Sequence, residues 1–307
     1  MRRLTVLVAA VALVVTGLAA PAVAHPSAAY PLQSRGNLGV DTLAVQYLLQ
    51  QHGYGAPSDG NFGASTQNAV KSFQASKGLA ADGVVGAATW GALVVTVRSG
   101  SSGAAVKALQ AQLNRKRRLA LAVDGVFGAG TDSAVRALQS HMGIGADGVV
   151  GATTWKNLLW HYAYPAFGDL CDQDPDGNGT ANWATGGAIG QLEAAARSFA
   201  ATGQGRVPLG DASFEHGGDI PGHASHEVGL DIDVWPVRTD SAQCTAGRIT
   251  WQSATYDRAA TRQLVQAVRA AAPGHVTLVY FNDPTLIAEG LTTQYPNHDN
   301  HLHIRYH

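Results

Sequence analysis

Three hydrophobic patterns follow one another along the chain. From Leu4 to Ala20 the residues are neutral and mostly apolar; Arg2 and Arg3 precede them, and Ala22-Val23-Ala24 follows with small residues spaced as at a cleavage site. The run is short for a membrane span, so the pattern predicts a secretory signal over residues 1–24, with the mature chain starting at His25. Further on, Thr66 opens a segment whose apolar positions Ala69, Val70 and Phe73 fall on one helix face, and Ala134, Val135 and Leu138 repeat that face. The third pattern is strict alternation. Leu230, Ile232 and Val234 face one way with Asp231 and Asp233 opposite, as in a half-buried strand. Near the end, His301, His303 and Arg305 share a face, and Leu302, Ile304 and Tyr306 share the other.

The helical region is an internal repeat. Asp59-Gly-Asn-Phe-Gly63 recurs 65 residues later as Asp124-Gly-Val-Phe-Gly128, and Asp82-Gly-Val-Val-Gly-Ala-Ala-Thr-Trp90 recurs at the same interval as Asp147-Gly-Val-Val-Gly-Ala-Thr-Thr-Trp155. Upstream, Val45-Gln46 matches Leu109-Gln110 at 64, so one residue is inserted between. Two tandem modules, 33–96 and 97–161, are expected. Each reads as short helices joined by Asp-Gly turns, where Gly accepts positive φ and Asp bonds its own backbone.

Composition narrows the classes. Charged residues make up 14% of the 307, against about 25% in an average soluble protein, so Ala, Gly, Ser, Thr and Asn must supply much of the surface. An apolar fraction of 46% fills real cores and excludes a disordered chain. Lys plus Arg is 21 against 22 acidic residues, which points away from nucleic acid; removal of Arg2 and Arg3 leaves 19 against 22, or −3. The one basic run, Asn114-Arg-Lys-Arg-Arg118, reads as a solvated face or a contact with anionic polymers. No segment after the signal is long and apolar enough to cross a bilayer, and a monomer is favoured. In an exported chain, Cys171 and Cys244 are expected to pair, closing a loop of roughly 70 residues worth at most about 4 kcal/mol. Free thiols or metal thiolates are the alternatives, the latter weakened by the lack of a C-x-x-C pair.

Past Pro165 the repeat stops. Asp172-Gln-Asp-Pro-Asp-Gly-Asn178 copies the first half of a calcium loop, but position 12 is Trp183 rather than Glu, so a polar turn is the better reading. The histidines are more informative. Of twelve, seven lie in two stretches: His216, His223 and His226, then His298, His301, His303 and His307. Such clusters beside carboxylates suggest a metal site or acid–base chemistry. His226-Glu227 is not the start of a His-Glu-x-x-His helix, since the fifth position is Leu230 and Gly229 weakens a helix. A straight strand would hold His226 and Asp233 about 23 Å apart, so Gly229 must bend the chain back if they share an ion. Two imidazoles at i and i+2 stand about 6.6 Å apart along a strand, which lets one bind a metal while the other serves as base. Two His and one Asp with a fourth position left for water is the layout of a catalytic zinc site.

At these residues the chain resembles two families. The modules are similar to peptidoglycan-binding repeats, whose Leu-Gln, Asp-Gly-x-Phe-Gly-x-x-Thr and Asp-Gly-x-x-Gly-x-x-Thr patterns recur in both copies, with Val45 in place of Leu in the first. The C-terminal region resembles the zinc peptidases that unite lysostaphin-type enzymes, D-Ala-D-Ala carboxypeptidases and penicillin-insensitive murein endopeptidases. The murein endopeptidase branch matches best, through Gly-His-x-Ser-His-x-x-Gly-Leu-Asp-x-Asp ending at Asp233 and His-Asp-x-His-x-His over His298 to His303; Val279-Tyr-Phe-Asn282 also fits its preceding strand. The resemblance implies two small all-α three-helix modules, then an α+β peptidase domain over 165–307 with a central antiparallel sheet. It implies zinc on His226, Asp233 and His303, His301 as general base, His223 and His298 beside the reacting groups, and Asp231 behind the ligands. A second zinc ion has no secure ligands, because neither Asp240 nor Asp257 aligns with the extra ligands of some members. The function implied is a secreted, wall-bound zinc endopeptidase cutting peptidoglycan cross-links. A zinc D-Ala-D-Ala carboxypeptidase and a non-catalytic wall-binding protein are the alternatives.

Overall fold

The computed structural model describes residues 28–173, 181–220, 223 and 225–307. The expected signal segment and most of the calcium-like turn, residues 174–180, lie outside the described residues. Among the described residues, no helix is long and apolar enough to cross a membrane.

Three helices form each module: α1 (Val40–Gln51), α2 (Ala64–Ser76) and α3 (Ala87–Leu93), then α4 (Ala104–Lys116), α5 (Ala129–His141) and α6 (Ala152–Trp160). Their apolar faces, including Ala69, Val70 and Phe73 and then Ala134, Val135 and Leu138, are buried as the periodicity predicts. Glutamines hold the Asp-Gly turns. Gln46 Nε2 donates to Asp59 Oδ1 at 2.8 Å while its Oε1 accepts from the Gly60 amide at 2.8 Å. Gln74 grips Asp82-Gly83 at 2.8 and 2.9 Å, Gln110 grips Asp124-Gly125 at 2.8 and 2.9 Å, and Gln139 grips Asp147-Gly148 at 2.8 and 2.9 Å. Each module thus uses the same clamp twice, a shorter repeat inside the 65-residue one.

The modules are not independent bundles. Residues of both contribute to one continuous core, from Ala44 and Leu48 through Trp90 and Leu109 to Trp155 and Leu159. The basic run also differs from the expected solvated face. Lys116 is buried, with Nζ 2.8 Å from Asp41 Oδ1 and donating to the Leu159 carbonyl at 2.7 Å. Arg115 pairs with Glu193 and Arg117 with Glu215, both in the C-terminal domain, and Arg118 lies 4.1 Å over the Tyr164 ring. Lys116, Arg115 and Arg117 are thus buried or half-buried along the seam with carboxylates and a carbonyl compensating them, while Arg118 is exposed.

The C-terminal domain holds a five-stranded sheet in the order β1 (Leu170–Asp172), β2 (Val207–Leu209), β3 (Asp231–Val234), β5 (Leu302–Tyr306), β4 (Val276–Tyr280). The sheet is mixed rather than antiparallel throughout, because β1 and β2 run parallel. Helix α7 (Gly186–Ala200) lies between them in sequence and supplies the crossover that a parallel pair requires. Together with α8 (Arg258–Ala271), α7 buries the apolar side of the sheet. Val40 of α1 and Ala111 of α4 join this second core. At the crossing of α1 and α7 only glycine fits, since a Cβ on Gly190 would lie 2.4 Å from the Gly39 Cα. A disulfide links Cys171 on β1 to Cys244, with Cα atoms 5.7 Å apart.

Burial holds the Lys116 ammonium below its ordinary pKa, and the charge of Asp41 opposes that shift. Removing one partner of a buried pair leaves the other charge uncompensated. Asp41→Ala is expected to cost about 3–5 kcal/mol in urea unfolding; a loss under about 1 kcal/mol would contradict a buried, paired Lys116.

Candidate metal centre

Strand register builds the centre. In the antiparallel β3–β5 pair, Asp233 stands opposite His303 and Asp231 opposite Arg305, while Ile232 meets Ile304 and Val234 meets Leu302 on the core side. The expected half-buried strand is in fact buried on both faces, because loops and histidines cover the acidic side. Before β3, a single 3-10 turn (His226–Val228) ends at Gly229 with φ 67°. A side chain there would also collide with the Tyr162 ring, 2.7 Å from the added Cβ. This is the bend that the spacing requires.

The turn returns His226 to the strand. Its Nε2 lies 3.4 Å from Asp233 Oδ1 and 3.3 Å from His303 Nδ1, and the last two atoms are 2.9 Å apart. Four ligands at 2.0–2.1 Å around a tetrahedral ion are about 3.3–3.4 Å from one another, so these three atoms outline one face of such a tetrahedron. All three residues are buried. Their other atoms are already engaged. His226 Nδ1 donates to the Ala212 carbonyl, leaving Nε2 as a lone pair. His303 Nε2 donates to Asp231 Oδ1 at 2.9 Å, and Asp231 Oδ2 accepts from Arg305 at 2.9 Å. Hydrogen bonds of this kind set the tautomer and orientation of a ligating imidazole.

The charges agree with that geometry. Burial pulls His303 down, but its bonds to Asp231 and Asp233 outweigh burial and push its pKa up to about 9. With no ion present, a proton therefore bridges His303 and Asp233. Burial likewise works against ionising Asp233, yet His226 and His303 hold it well below the usual carboxylate range.

His301 sits just before β5 with Nε2 3.7 Å from Asp233 Oδ2. Its Nδ1 is 2.8 Å from Asn300 Oδ1, to which it donates, so Nε2 offers a lone pair on the site side. Burial pulls its pKa down to about 4, against the charge of Asp233, and the ring is neutral at pH 7. His298 packs 4.6 Å from His301 between ring centroids and is lowered by burial as well. His223 has Nδ1 3.7 Å from Asp233 Oδ2 and Nε2 3.2 Å from Asp211 Oδ2. These groups line a cleft of about 360 Å³, one wall of which is the stacked pair Tyr280 and Tyr295.

The structure brings together His223, His226, Asp231, Asp233, His298, His301 and His303, and it separates two histidines of the sequence clusters. His307 stacks on His275, and His216 lies instead beside His141 and His161. Asp240 pairs with Arg238 and Asp257 caps α8, so neither reaches the centre. Two residues escaped the sequence reading. Asp211 is buried behind His223, in a stretch with no motif, and its Oδ1 meets no hydrogen-bond partner among the described residues. Arg305 was visible only as a position on the strand face.

Residues 39–93 and 102–158 each match the family model of a putative peptidoglycan binding domain, and residues 178–278 match that of penicillin-insensitive murein endopeptidase. The latter segment carries His223, His226, Asp231 and Asp233 and stops before β5, which the fold then adds. The chain is 36% identical over 111 residues to N-acetylmuramoyl-L-alanine amidase CwlM of Mycobacterium tuberculosis, covering 32% of this chain and 27% of that one. It is 29% identical over 154 residues to a probable N-acetylmuramoyl-L-alanine amidase of Bacillus licheniformis, covering 41% and 44%. The chain thus spans less than half the length of these relatives. A solved peptidoglycan-binding protein from Clostridioides difficile shares 44% identity over 20% of this chain and 40% of that one, at a TM-score of 0.20. By these matches, the chain carries two tandem peptidoglycan-binding repeats followed by a penicillin-insensitive murein endopeptidase domain.

Proposed function

We propose that the chain is an exported zinc endopeptidase that hydrolyses peptide cross-links in peptidoglycan, held at the cell wall by its two N-terminal modules. One observation carries the reading: donor atoms of His226, Asp233 and His303 lie within 2.9–3.4 Å of one another, beside the His301 lone pair, in an open cleft. Two imidazoles and a carboxylate suit a borderline divalent ion such as zinc. When bound, such an ion acts as a Lewis acid on a carbonyl and makes water a competent nucleophile near neutral pH.

The protein's own residues do the rest. His301 Nε2 is free to take a proton from the attacking water and to pass it to the leaving amine nitrogen. Its low proton affinity keeps the base form available at pH 7. Asp231 holds His303 in the tautomer that offers Nδ1, and Arg305 holds Asp231 in place. His223 and His298 also line the cleft, where they can orient a peptide. Tyr280 and Tyr295 give an extended stem peptide an aromatic wall to lie on.

Purified cross-linked muropeptide dimers, digested with the protein and read by mass spectrometry, should become monomers. Release of terminal D-Ala alone would favour a carboxypeptidase, and intact dimers would contradict hydrolysis. His301→Ala should lower kcat by about 10²–10⁴ while the zinc content stays unchanged; near-normal turnover would remove its role as base. Zinc must also displace a proton. The raised His303 pKa of about 9 means that this proton is bound at pH 7, and coordination at Nδ1 expels it. Adding zinc to chelated protein in weak buffer with an indicator dye should release about one proton from this site at pH 7, and the release should fade above pH 9. No release at pH 7 would contradict the ligand set.

A further inference from the structure

A second group of metal-type donors lies at the seam between the second module and the C-terminal domain. His141 ends α5, His161 follows α6, and Glu215 and His216 stand on the segment between β2 and β3. One ligand atom from each falls within 4.8 Å of all the others. His141 Nε2 is 2.9 Å from His216 Nε2 and 3.6 Å from Glu215 Oε1, and His161 Nε2 is 3.2 Å from the same oxygen. These separations bracket the edge of about 3.3–3.4 Å expected for four ligands 2.0–2.1 Å from a tetrahedral ion.

Orientation agrees with distance. His161 Nδ1 donates to the Tyr162 carbonyl at 2.8 Å, so its Nε2 presents a lone pair. That lone pair faces a carboxylate oxygen, and two acceptors at contact distance need a proton or a cation between them. The Arg117 guanidinium supplies part of the charge, paired with Glu215 and 3.3 Å from His161 Nε2. Arginine is long and partly exposed here, so it can move aside for an ion. His161 is fully buried, and the side chains of His141 and Glu215 are about a third exposed, which leaves a route of entry.

The repeat supplies an internal control. At the 65-residue offset, His141 corresponds to Ser76 and His161 to Thr96 in the first module. Neither imidazole is therefore required by the module fold. Both occur in the second copy, where they meet Glu215 and His216 of the C-terminal domain.

We propose that His141, His161, Glu215 and His216 form a zinc site that clasps the second module to the C-terminal domain. Three imidazoles favour zinc or a neighbouring late first-row ion over calcium or magnesium. Four protein ligands fill a tetrahedron and leave no position for substrate, so the site is structural. Its loop is tied to the catalytic turn: the Gly218 amide donates to the Glu227 carbonyl at 3.0 Å, and Tyr162 packs on Gly229. Closing the clasp thus also braces the turn that carries His226.

The test uses the full chain, stripped by chelation, loaded with zinc and freed of excess. His141→Gln and Glu215→Gln should each lose about one zinc per chain relative to the parent, and the zinc-dependent rise in Tm should shrink. His226→Gln removes a different ion, so failure of the catalytic reading leaves this difference untouched. In a His226→Gln/Asp233→Asn background, X-ray absorption should report three imidazoles and one oxygen at about 2.0–2.1 Å, a result that does not depend on either clasp variant folding. Full zinc retention in both clasp variants, or a remaining ion with fewer than three imidazoles, would overturn the proposal.

Discussion

Antiparallel pairing of β3 with β5 is the constraint on which the centre depends. It sets Asp233 opposite His303 and Asp231 opposite Arg305, while Ile232, Ile304, Val234 and Leu302 fill the core on the other face. Side chains alternate along a strand, so a slip of one residue would put both carboxylates into the apolar core. The hydrophobic face therefore fixes the register, and the register fixes which acid meets which imidazole. His226 is the one donor of the three that comes from outside the pair, and the left-handed Gly229 brings it back.

The same economy joins the modules to the domain. Arg115 and Arg117 pair with carboxylates of the C-terminal domain, and Lys116 pairs with Asp41 of the first module. Gly39 and Gly190 let α1 and α7 approach within backbone contact. Tyr162, just past the second module, packs on the glycine that shapes the His226 turn. Under the proposed function, coupling of this kind would give the modules a defined orientation towards the cleft, where a flexible linker would set only a distance.

Much of this was legible in the residues. The 65-residue recurrence gave the modules, and alternation gave β3 and β5 with the correct faces. Gly229 was identified as the necessary bend from the length of an extended strand alone. What was missed shares a physical cause: it depends on contacts between segments far apart in sequence. Lys116 looks solvated until Asp41, 75 positions upstream, is brought against it. His216 sits beside His223 in sequence, yet its neighbours are His141 and His161. Asp211 has no motif to mark it, and the parallel β1–β2 pair follows from the α7 crossover rather than from any pattern within such short strands. The doubled glutamine clamp was hidden because the turn residues recur more visibly than the distant side chain that holds them.

The central claim is that one ion seats itself among His226, Asp233 and His303. An anomalous difference map from crystals of the zinc-loaded chain, with data collected on both sides of the zinc absorption edge, tests it most directly. The account predicts a peak at about 2.0–2.2 Å from His226 Nε2, His303 Nδ1 and an Asp233 oxygen, beside the His301 ring. A map with no peak between those three side chains, in crystals that contain zinc, would contradict it.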